Sequence, residues 1–476
     1  MRGFLASSIG VTCAAALALP LTPTAVAASI GPASTAEAAA AEAATIPAGS
    51  PSPGHTESLP LRPLNSTRAT PAAPGVPDQG LTRRDVHRFS MVGVVWDDPD
   101  VELRGRVEVR TRAADTGDWS SWQDVETHNA EHAADPDTAE RASGRVRGAT
   151  APLWVGDSDG VEVRVRAEST DKTAPVLPEG LRLELVDPGA EEPVAPATRP
   201  AARSVTGAAA RSAVLPAEAP ESTTLTAGTA AASAANAELA PMGALEIPEL
   251  SPEGTREELF ALRGAQLTEA QRAKPYIGPR PKIVTRRGWG ANESWREKKF
   301  VYTTKVKAAF VHHTASGNGY KCSQAPSVIR GIYRYHVVSM GWRDIGYNFV
   351  VDKCGNIYEG RAGGVAKAVL GAHTLGFNSN SMGIALLGSH AKAKPSAASV
   401  TAVAKLTAWK LGLFGANPKG KTYLKSGGGN LYAKGRNVRL NVISGHRDGF
   451  ATECPGAQLY KKLGSARSTA ADLQGR

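Results

Sequence analysis

The sequence predicts a multidomain protein with an N-terminal all-β, sandwich-like domain and a C-terminal α/β domain, a mixed sheet flanked by helices, joined by disordered linkers. Three observations support this fold class. Apolar residues alternate with period two between residues 81 and 188, strand-like and helix-like patterns alternate after residue 276, and Ala/Pro-rich segments without periodicity lie between and before them. A length of 476 residues allows two or three such domains.

Residues 1–28 are typical of an export signal. Arg2 precedes an apolar stretch from Ile9 to Leu21, and Ala25-Val26-Ala27 has the small-x-small form that a signal peptidase cleaves. Leu17 to Val26 contains two prolines, and the stretch is too short and too interrupted for a membrane span. We therefore expect a secreted, extracellular protein without a stable membrane span after cleavage. A retained N-terminal anchor is the alternative.

Residues 29–80 are rich in Ala, Pro, Ser and Thr, and we expect them to be disordered because they cannot bury enough apolar surface. Residues 81–188 carry the alternating pattern of half-buried antiparallel strands. No catalytic constellation is visible in this domain. His87, His128 and His132 are isolated in the sequence, and we expect them to face solvent or to bond locally.

Residues 189–275 have the composition of a flexible linker, with weak helical character from Glu257 to Arg272. Residues 276–470 form the predicted α/β domain. Its expected elements are a buried strand, a helix with Ser323 as its N-cap, a hairpin, a further strand, a long helix, and a strand that ends just before His446. The strands and the long helix are predicted at Lys307–His313, Tyr347–Val351, Ile357–Glu359, Ile384–Leu387, Ala397–Leu413 and Val438–Ile443.

Charge divides the chain into two unlike parts. Residues 276–476 contain 31 Lys and Arg and 8 Asp and Glu, a net charge of +23, whereas the rest carries −13. The basic part should attract polyanions. In an exported protein the natural candidates are anionic cell-wall polymers, and we do not expect nucleic acid because the basic residues are not interleaved with an aromatic reading motif. A basic face that only keeps the domain soluble is the alternative. We expect a monomer.

A metal site is indicated by His446 and Cys454, in the run GHRDGFATECPG, together with one member of the pair His312-His313. Two imidazoles and one thiolate leave the fourth position of a tetrahedral Zn²⁺ open for water, which is the arrangement of catalytic rather than structural zinc. The periodicity of the strand does not choose between the two adjacent histidines, because both of its faces are apolar.

Cleavage of the signal would remove Cys13 and leave three cysteines in an oxidising compartment. The simplest arrangement pairs Cys322 with Cys354 and leaves Cys454 as a free thiolate ligand. The other pairings would remove the thiolate from the metal site.

The segment from Arg287 to Lys461 resembles the peptidoglycan-recognition-protein and zinc amidase family, to which bacteriophage T7-type lysozymes also belong. The motifs that carry the resemblance occur in the family's order and cover most of the last two hundred residues. They are Arg287-x-Trp289-Gly290-Ala291, Val311-His312-His313-Thr314-Ala315, the run from Gly341 to Phe349, Gly371-Ala372-His373-Thr374 with Asn378, and Gly445-His446-Arg447-Asp448 followed by Cys454-Pro455-Gly456.

The resemblance implies an N-acetylmuramoyl-L-alanine amidase, which hydrolyses the amide between N-acetylmuramic acid and L-alanine in peptidoglycan with a zinc-activated water. It implies Zn²⁺ as cofactor and peptidoglycan as partner, and a location at the cell wall. The implied metal ligands are His312, His446 and Cys454, with His313 in a supporting role. Tyr347 and Thr452 match catalytic positions, where a hydroxyl can stabilise the developing oxyanion.

The resemblance also suggests Trp342, Arg361, His373 and Asn378 as residues of the groove for glycan and stem peptide. Glu359 is the nearest candidate for a general base, although its position in a hairpin strand favours a structural role. Some members of the family bind peptidoglycan without cleaving it, so a non-catalytic peptidoglycan-binding protein is the alternative function. A zinc peptidase of the HExxH type is not supported, because the chain has no such motif.

Overall fold

A computed structural model of the chain describes residues 54–64, 78–168, 176–189 and 225–476. The predicted signal segment, residues 1–28, and the alternative of an N-terminal anchor lie outside these ranges. Across the described ranges, no helix has both the length and the apolar character that crossing a membrane requires.

The N-terminal domain is all-β, as predicted. Its strands pair antiparallel in one sheet, and the central 19-residue strand bends at three register shifts so that it pairs with different neighbours along its length. Side chains from both ends of the sheet, such as Leu59 and Val107, meet in a single apolar cluster. The strands are His55–Pro60, Arg62–Pro63, Asp78–Trp96, Gly105–Ala113, Gln123–Val125, Gly148–Ala149, Leu153–Ala167 and Arg182–Asp187.

The prediction of disorder across residues 29–80 is wrong for the part that the structure describes. His55–Pro60 is a strand that pairs with Arg182–Asp187, and its Leu59 side chain is buried in the core of the domain. The composition misled the prediction because residues 54–64 contain only three leucines, Leu59, Leu61 and Leu64, next to two prolines.

The C-terminal domain is built on a mixed sheet of seven strands, which confirms the predicted class. In spatial order the strands are Ile443–Gly445, Ala308–His313, Ser381–Leu386, Phe349–Val351, Ile357–Glu359, Ile283–Val284 and Glu246–Ile247. The predicted hairpin is present, with Phe349–Val351 antiparallel to Ile357–Glu359. A separate antiparallel pair, Lys421–Lys425 with Asn437–Asn441, lies off this sheet.

Helices cover the sheet of the C-terminal domain. The long helix is Ala397–Gly412, and Ser396 caps it by accepting a hydrogen bond from the backbone N–H of Ser399. The predicted cap at Ser323 is wrong, because Ser323 lies inside a short 3-10 turn that precedes the helix Ala325–Arg334. The other α-helices are Ala227–Ala234, Pro252–Arg263, Glu269–Ala273, Ala457–Tyr460 and Leu463–Leu473, and a π-helical turn occupies Tyr335–Ser339.

Much of the predicted linker 189–275 is ordered. From residue 225 onward it forms three helices and the strand Glu246–Ile247, which completes one edge of the seven-stranded sheet by pairing with Ile283–Val284. Ala232, Asn236 and Ile247 are buried. Ala-rich composition resembles that of a tether, but here small side chains pack closely against the domain that follows.

The two domains share an apolar core. Met91, Val95 and Val186 of the β domain lie in one cluster with residues of the helix Ala325–Arg334 and its surroundings. At the same boundary the Tyr335 hydroxyl donates to the carbonyl oxygen of Thr150 at 3.2 Å. This contact fixes the β domain against the edge of the C-terminal domain where the candidate site lies.

Candidate metal centre

Two parallel strands bring the predicted histidines together. Ala308–His313 is fully buried, and Val311 is in register with Gly445 of the neighbouring strand Ile443–Gly445. His312 and His446 therefore lie side by side at the carboxyl ends of adjacent strands. A turn after His446 returns the chain, and the backbone N–H of Arg447 donates to the carbonyl oxygen of Cys454 at 3.0 Å. That bond holds Cys454 beside both histidines.

A fourth side chain joins this group, and it comes from the other domain. His132, His312, His446 and Cys454 are all buried, and one candidate ligand atom from each lies within 4.8 Å of those of the others. The Cys454 Sγ is 3.5 Å from His132 Nε2 and 3.8 Å from His312 Nδ1. The expectation that His132 faces solvent is wrong.

His132 lies on the segment between the strands Gln123–Val125 and Gly148–Ala149, which we call the 126–147 loop. Sequence reasoning missed this residue because an isolated histidine in a loop carries no local pattern. The only signal nearby is an acidic composition, in the run EHAADPDTAE from Glu131 to Glu140.

The donor set fits a metal ion. Both ring nitrogens of His446 and the Nδ1 of His132 are buried without a hydrogen-bond partner, which is costly unless another group satisfies them. Burial lowers the pKa of His132 to about 3 and that of His446 well below its usual range, so both rings are neutral, which is the form that binds metals. Burial raises the pKa of the Cys454 thiol, and a bound cation would favour its thiolate.

His373 supports His312 from behind. Its Nδ1 lies 3.3 Å from His312 Nε2, and its own ring is buried against Phe310 and Ser381. We expected His373 in the groove, whereas the structure places it beneath the cluster, where it orients the imidazole whose other nitrogen faces Cys454. His313 turns away, and its Nδ1 accepts a hydrogen bond from the backbone N–H of His390 at 3.1 Å.

The two predicted catalytic hydroxyl residues border the cluster. The Tyr347 ring centroid is 5.6 Å from that of His312 and 6.0 Å from that of His132. Burial raises its pKa well above the usual value, so the phenol remains protonated and can donate. The Thr452 hydroxyl donates to Glu131 Oε1 at 2.6 Å and accepts from the backbone N–H of Cys454 at 3.1 Å.

The other predicted groove residues contact the 126–147 loop or lie beneath it. The Arg361 guanidinium makes two hydrogen bonds of 2.9 Å to Glu140. The Asn378 amide donates to Asp135 Oδ1 at 2.7 Å and to the carbonyl oxygen of Ala133 at 2.8 Å. Trp342 is buried and stacks on the ring of His336 with 4.5 Å between centroids.

The predicted cysteine pairing is confirmed. Cys322 and Cys354 form a disulfide that joins the start of the helix region to the hairpin turn, and Cys454 is free and buried. Glu359 has the structural role that its strand position suggested. Its carboxylate is buried and accepts hydrogen bonds from Asn236 and from the backbone N–H of Arg286.

Comparison with known proteins gives the chain a family. Residues 302–457 match the family described as N-acetylmuramoyl-L-alanine amidase. Peptidoglycan-recognition protein SC2 of Drosophila simulans is 31% identical over 184 residues, which are 38% of this chain and 84% of that protein. The chain belongs to the peptidoglycan-recognition protein and amidase family.

Other members of this family match the same region. The human N-acetylmuramoyl-L-alanine amidase is 30% identical over 203 residues, which are 42% of this chain and 29% of that enzyme. The solved structure of Drosophila PGRP-LB is 27% identical and covers 38% of this chain and 92% of its own, with a TM-score of 0.30. The N-terminal part, residues 41–200, matches a family described as Rv3811 N-terminal galactose-binding domain-like.

Proposed function

We propose that the protein is a secreted, zinc-dependent N-acetylmuramoyl-L-alanine amidase of the bacterial cell wall. One observation carries the proposal: His312 converges with His446 and Cys454, which lie more than a hundred residues later in the sequence, on one buried point with nitrogen and sulfur atoms at ligand spacing. Family membership supports peptidoglycan as the substrate.

His312, His446 and Cys454 would hold the ion. Bound there, Zn²⁺ would supply a Lewis acid for the scissile carbonyl and a water of lowered pKa at neutral pH. His373 and Thr374 fix the orientation of His312 through its second nitrogen, at 3.3 and 3.4 Å. The phenol of Tyr347, protonated and next to the cluster, is placed to donate to the oxyanion that develops on the carbonyl. The Thr452 hydroxyl can offer a second, neutral hydrogen bond.

The proposed partners follow from charge and family. The domain that contains the site carries most of the basic residues of the chain, which favours contact with peptidoglycan and anionic wall polymers. Secretion is part of the proposal because the substrate lies outside the cell membrane, and the N-terminal segment has the form of an export signal.

Mass spectrometry of digested peptidoglycan tests the activity. The full chain and its His132→Ala variant are incubated with purified peptidoglycan, and metal content is measured on the same samples. An amidase releases intact stem peptides with a free L-alanine amine, and His446→Ala abolishes both the release and the metal. Stoichiometric zinc with no peptide released by either the full chain or His132→Ala would favour the non-catalytic binding alternative. Cleavage at another bond would overturn the proposal.

A further inference from the structure

We propose that the 126–147 loop of the β domain is a built-in inhibitor of the amidase, with His132 as the fourth ligand of its metal. The inference rests on the proposed function, because it concerns the same metal site. A catalytic zinc site needs three protein ligands and one exchangeable position, whereas a site with four protein ligands is closed.

His132 occupies the place of the exchangeable ligand. Its Nε2 lies 3.5 Å from Cys454 Sγ, and its ring is 4.5 Å from that of His446 and 5.3 Å from that of His312, centroid to centroid. These separations match those among the other three ligands, whose sulfur and His312 nitrogen are 3.8 Å apart. The Nδ1 of the same ring is buried without a hydrogen-bond partner, and Nε2 has only the Cys454 sulfur at this distance, as expected for two ligands of one ion.

Carboxylates anchor the loop on each side of His132. Glu131 accepts from the Thr452 hydroxyl at 2.6 Å, and Asp135 accepts from the Gly376 N–H and the Asn378 amide at 2.7 Å each. Further along, Glu140 pairs with Arg361, and both side chains are about 5% exposed. The loop therefore binds one proposed catalytic residue and two proposed groove residues at once.

Little space remains for a substrate while the loop is in place. The cavity beside Thr452 and Cys454, which the loop itself helps to line, has a volume of about 10 Å³. That volume admits about one water molecule and excludes a sugar or a peptide. The loop must leave before a muropeptide can reach the metal.

The loop can move without separation of the domains. The contacts that hold the β domain in place are in the apolar cluster around Met91, Val186 and Tyr335, to which the loop adds only the side chains of Ala134 and Val146. The loop is held mainly by hydrogen bonds and ion pairs. Solvent water and the carboxylates of a substrate can replace these polar contacts. If the loop is displaced from the metal site in about 1–10% of the molecules, the activity is reduced to about that fraction of the activity of a permanently open site.

Cobalt substitution tests the ligand role directly. Co²⁺ is loaded into the full chain, His132→Ala and His128→Ala, and the visible absorption is recorded with and without azide. His128 is the matched control, an exposed histidine of the same loop that lies outside the four-residue cluster. We expect azide to leave the spectra of the wild type and His128→Ala unchanged and to shift that of His132→Ala. An azide response in the wild type equal to that of His132→Ala would overturn the inference.

Peptide release from peptidoglycan completes the test. His132→Ala is expected to release stem peptides about 10- to 100-fold faster than the wild type and His128→Ala. Asp135→Asn, which keeps His132 and weakens one anchor, should give a smaller increase and remains informative if His132→Ala folds poorly. Equal rates in all four proteins would refute inhibition and leave the amidase proposal intact. Metal-loaded variants with an azide response but no peptide release would refute the amidase and keep His132 as a ligand.

Discussion

The side-chain amide of Asn236 donates to both carboxylate oxygens of Glu359, at 3.0 Å each. This pair joins the segment before the amidase domain to a central strand of its sheet, and burial raises the pKa of Glu359 from 4.5 to about 7. The folded state therefore holds a proton that the unfolded chain loses above pH 4.5. The stabilising effect of this group is complete below pH 4.5 and is lost as the pH rises through 7.

We predict that the free energy of unfolding of the wild type, relative to Glu359→Gln, falls by about 2–3 kcal/mol between pH 5 and pH 8. Urea unfolding of both proteins at several pH values measures this difference. The comparison cancels the titration of all other groups. A difference that stays flat, or rises with pH, would contradict the raised pKa.

A buried charge network should dominate the stability of the amidase domain. Glu293 accepts a hydrogen bond from Arg286 at 2.7 Å and also pairs with Arg296, and all three side chains are buried. Glu293→Ala leaves two guanidinium groups without this partner, and we expect a loss of about 3–5 kcal/mol in urea unfolding. Asp472→Ala is the control, since its pair with Lys419 is exposed and should be worth about 0–1 kcal/mol. Similar losses in both variants would argue against the network.

Gly341 lies under the 126–147 loop with φ at +73°, and an added Cβ would overlap the carbonyl oxygen of Arg145. We expect Gly341→Ala to lift this part of the loop and to speed amide hydrogen exchange in residues 140–147. Gly435→Ala is the control. Its φ of +86° gives the same backbone strain, about 1–2 kcal/mol, but an added Cβ there meets no atom within 4 Å. Unchanged exchange in Gly341→Ala would show that the loop tolerates the added methyl group.

Removal of the metal should destabilise the protein. Without an ion, the cluster buries imidazole nitrogens that have no partner, and a ligand present at 100 times its dissociation constant adds about 2.7 kcal/mol to stability. We expect a chelator to lower the melting temperature and added Zn²⁺ to restore it. His446→Ala should abolish this response and His128→Ala should retain it. A melting temperature that is insensitive to chelation would argue against a bound metal.

Tyr347→Phe should slow peptide release without loss of zinc. In the His132→Ala background, where the site is open, we expect a decrease of about 10²- to 10³-fold, the usual effect of removing one oxyanion donor. Unchanged zinc content separates this effect from damage to the site. Tyr423→Phe, which removes an exposed hydroxyl far along the chain, is the control. A loss of less than threefold would remove Tyr347 from the mechanism.

The sequence allowed prediction of those features that local pattern determines. Alternation identified the β domain, and the predicted strand Val438–Ile443 put His446 just beyond a strand end. The structure divides this strand into Asn437–Asn441, outside the main sheet, and Ile443–Gly445, whose pairing with Ala308–His313 places His446 next to His312. His132 could not be predicted, because its place in the cluster depends on how two domains pack across 180 residues of intervening chain. The ordered segment around Asn236 was missed for a related reason. Its small residues show no periodicity, and only the neighbouring domain gives them a surface to cover.

The shared apolar core between the domains limits how such a protein could be redesigned. Met91 and Val186 pack into the same cluster as the helix Ala325–Arg334, so this side of the helix is shielded from solvent. An excised amidase domain would expose this apolar surface to solvent and would tend to aggregate. Grafting the 126–147 loop alone onto a homologue would not transfer the inhibition, because the loop would lack the β-domain sheet that positions it. Chimaeras should exchange both domains together.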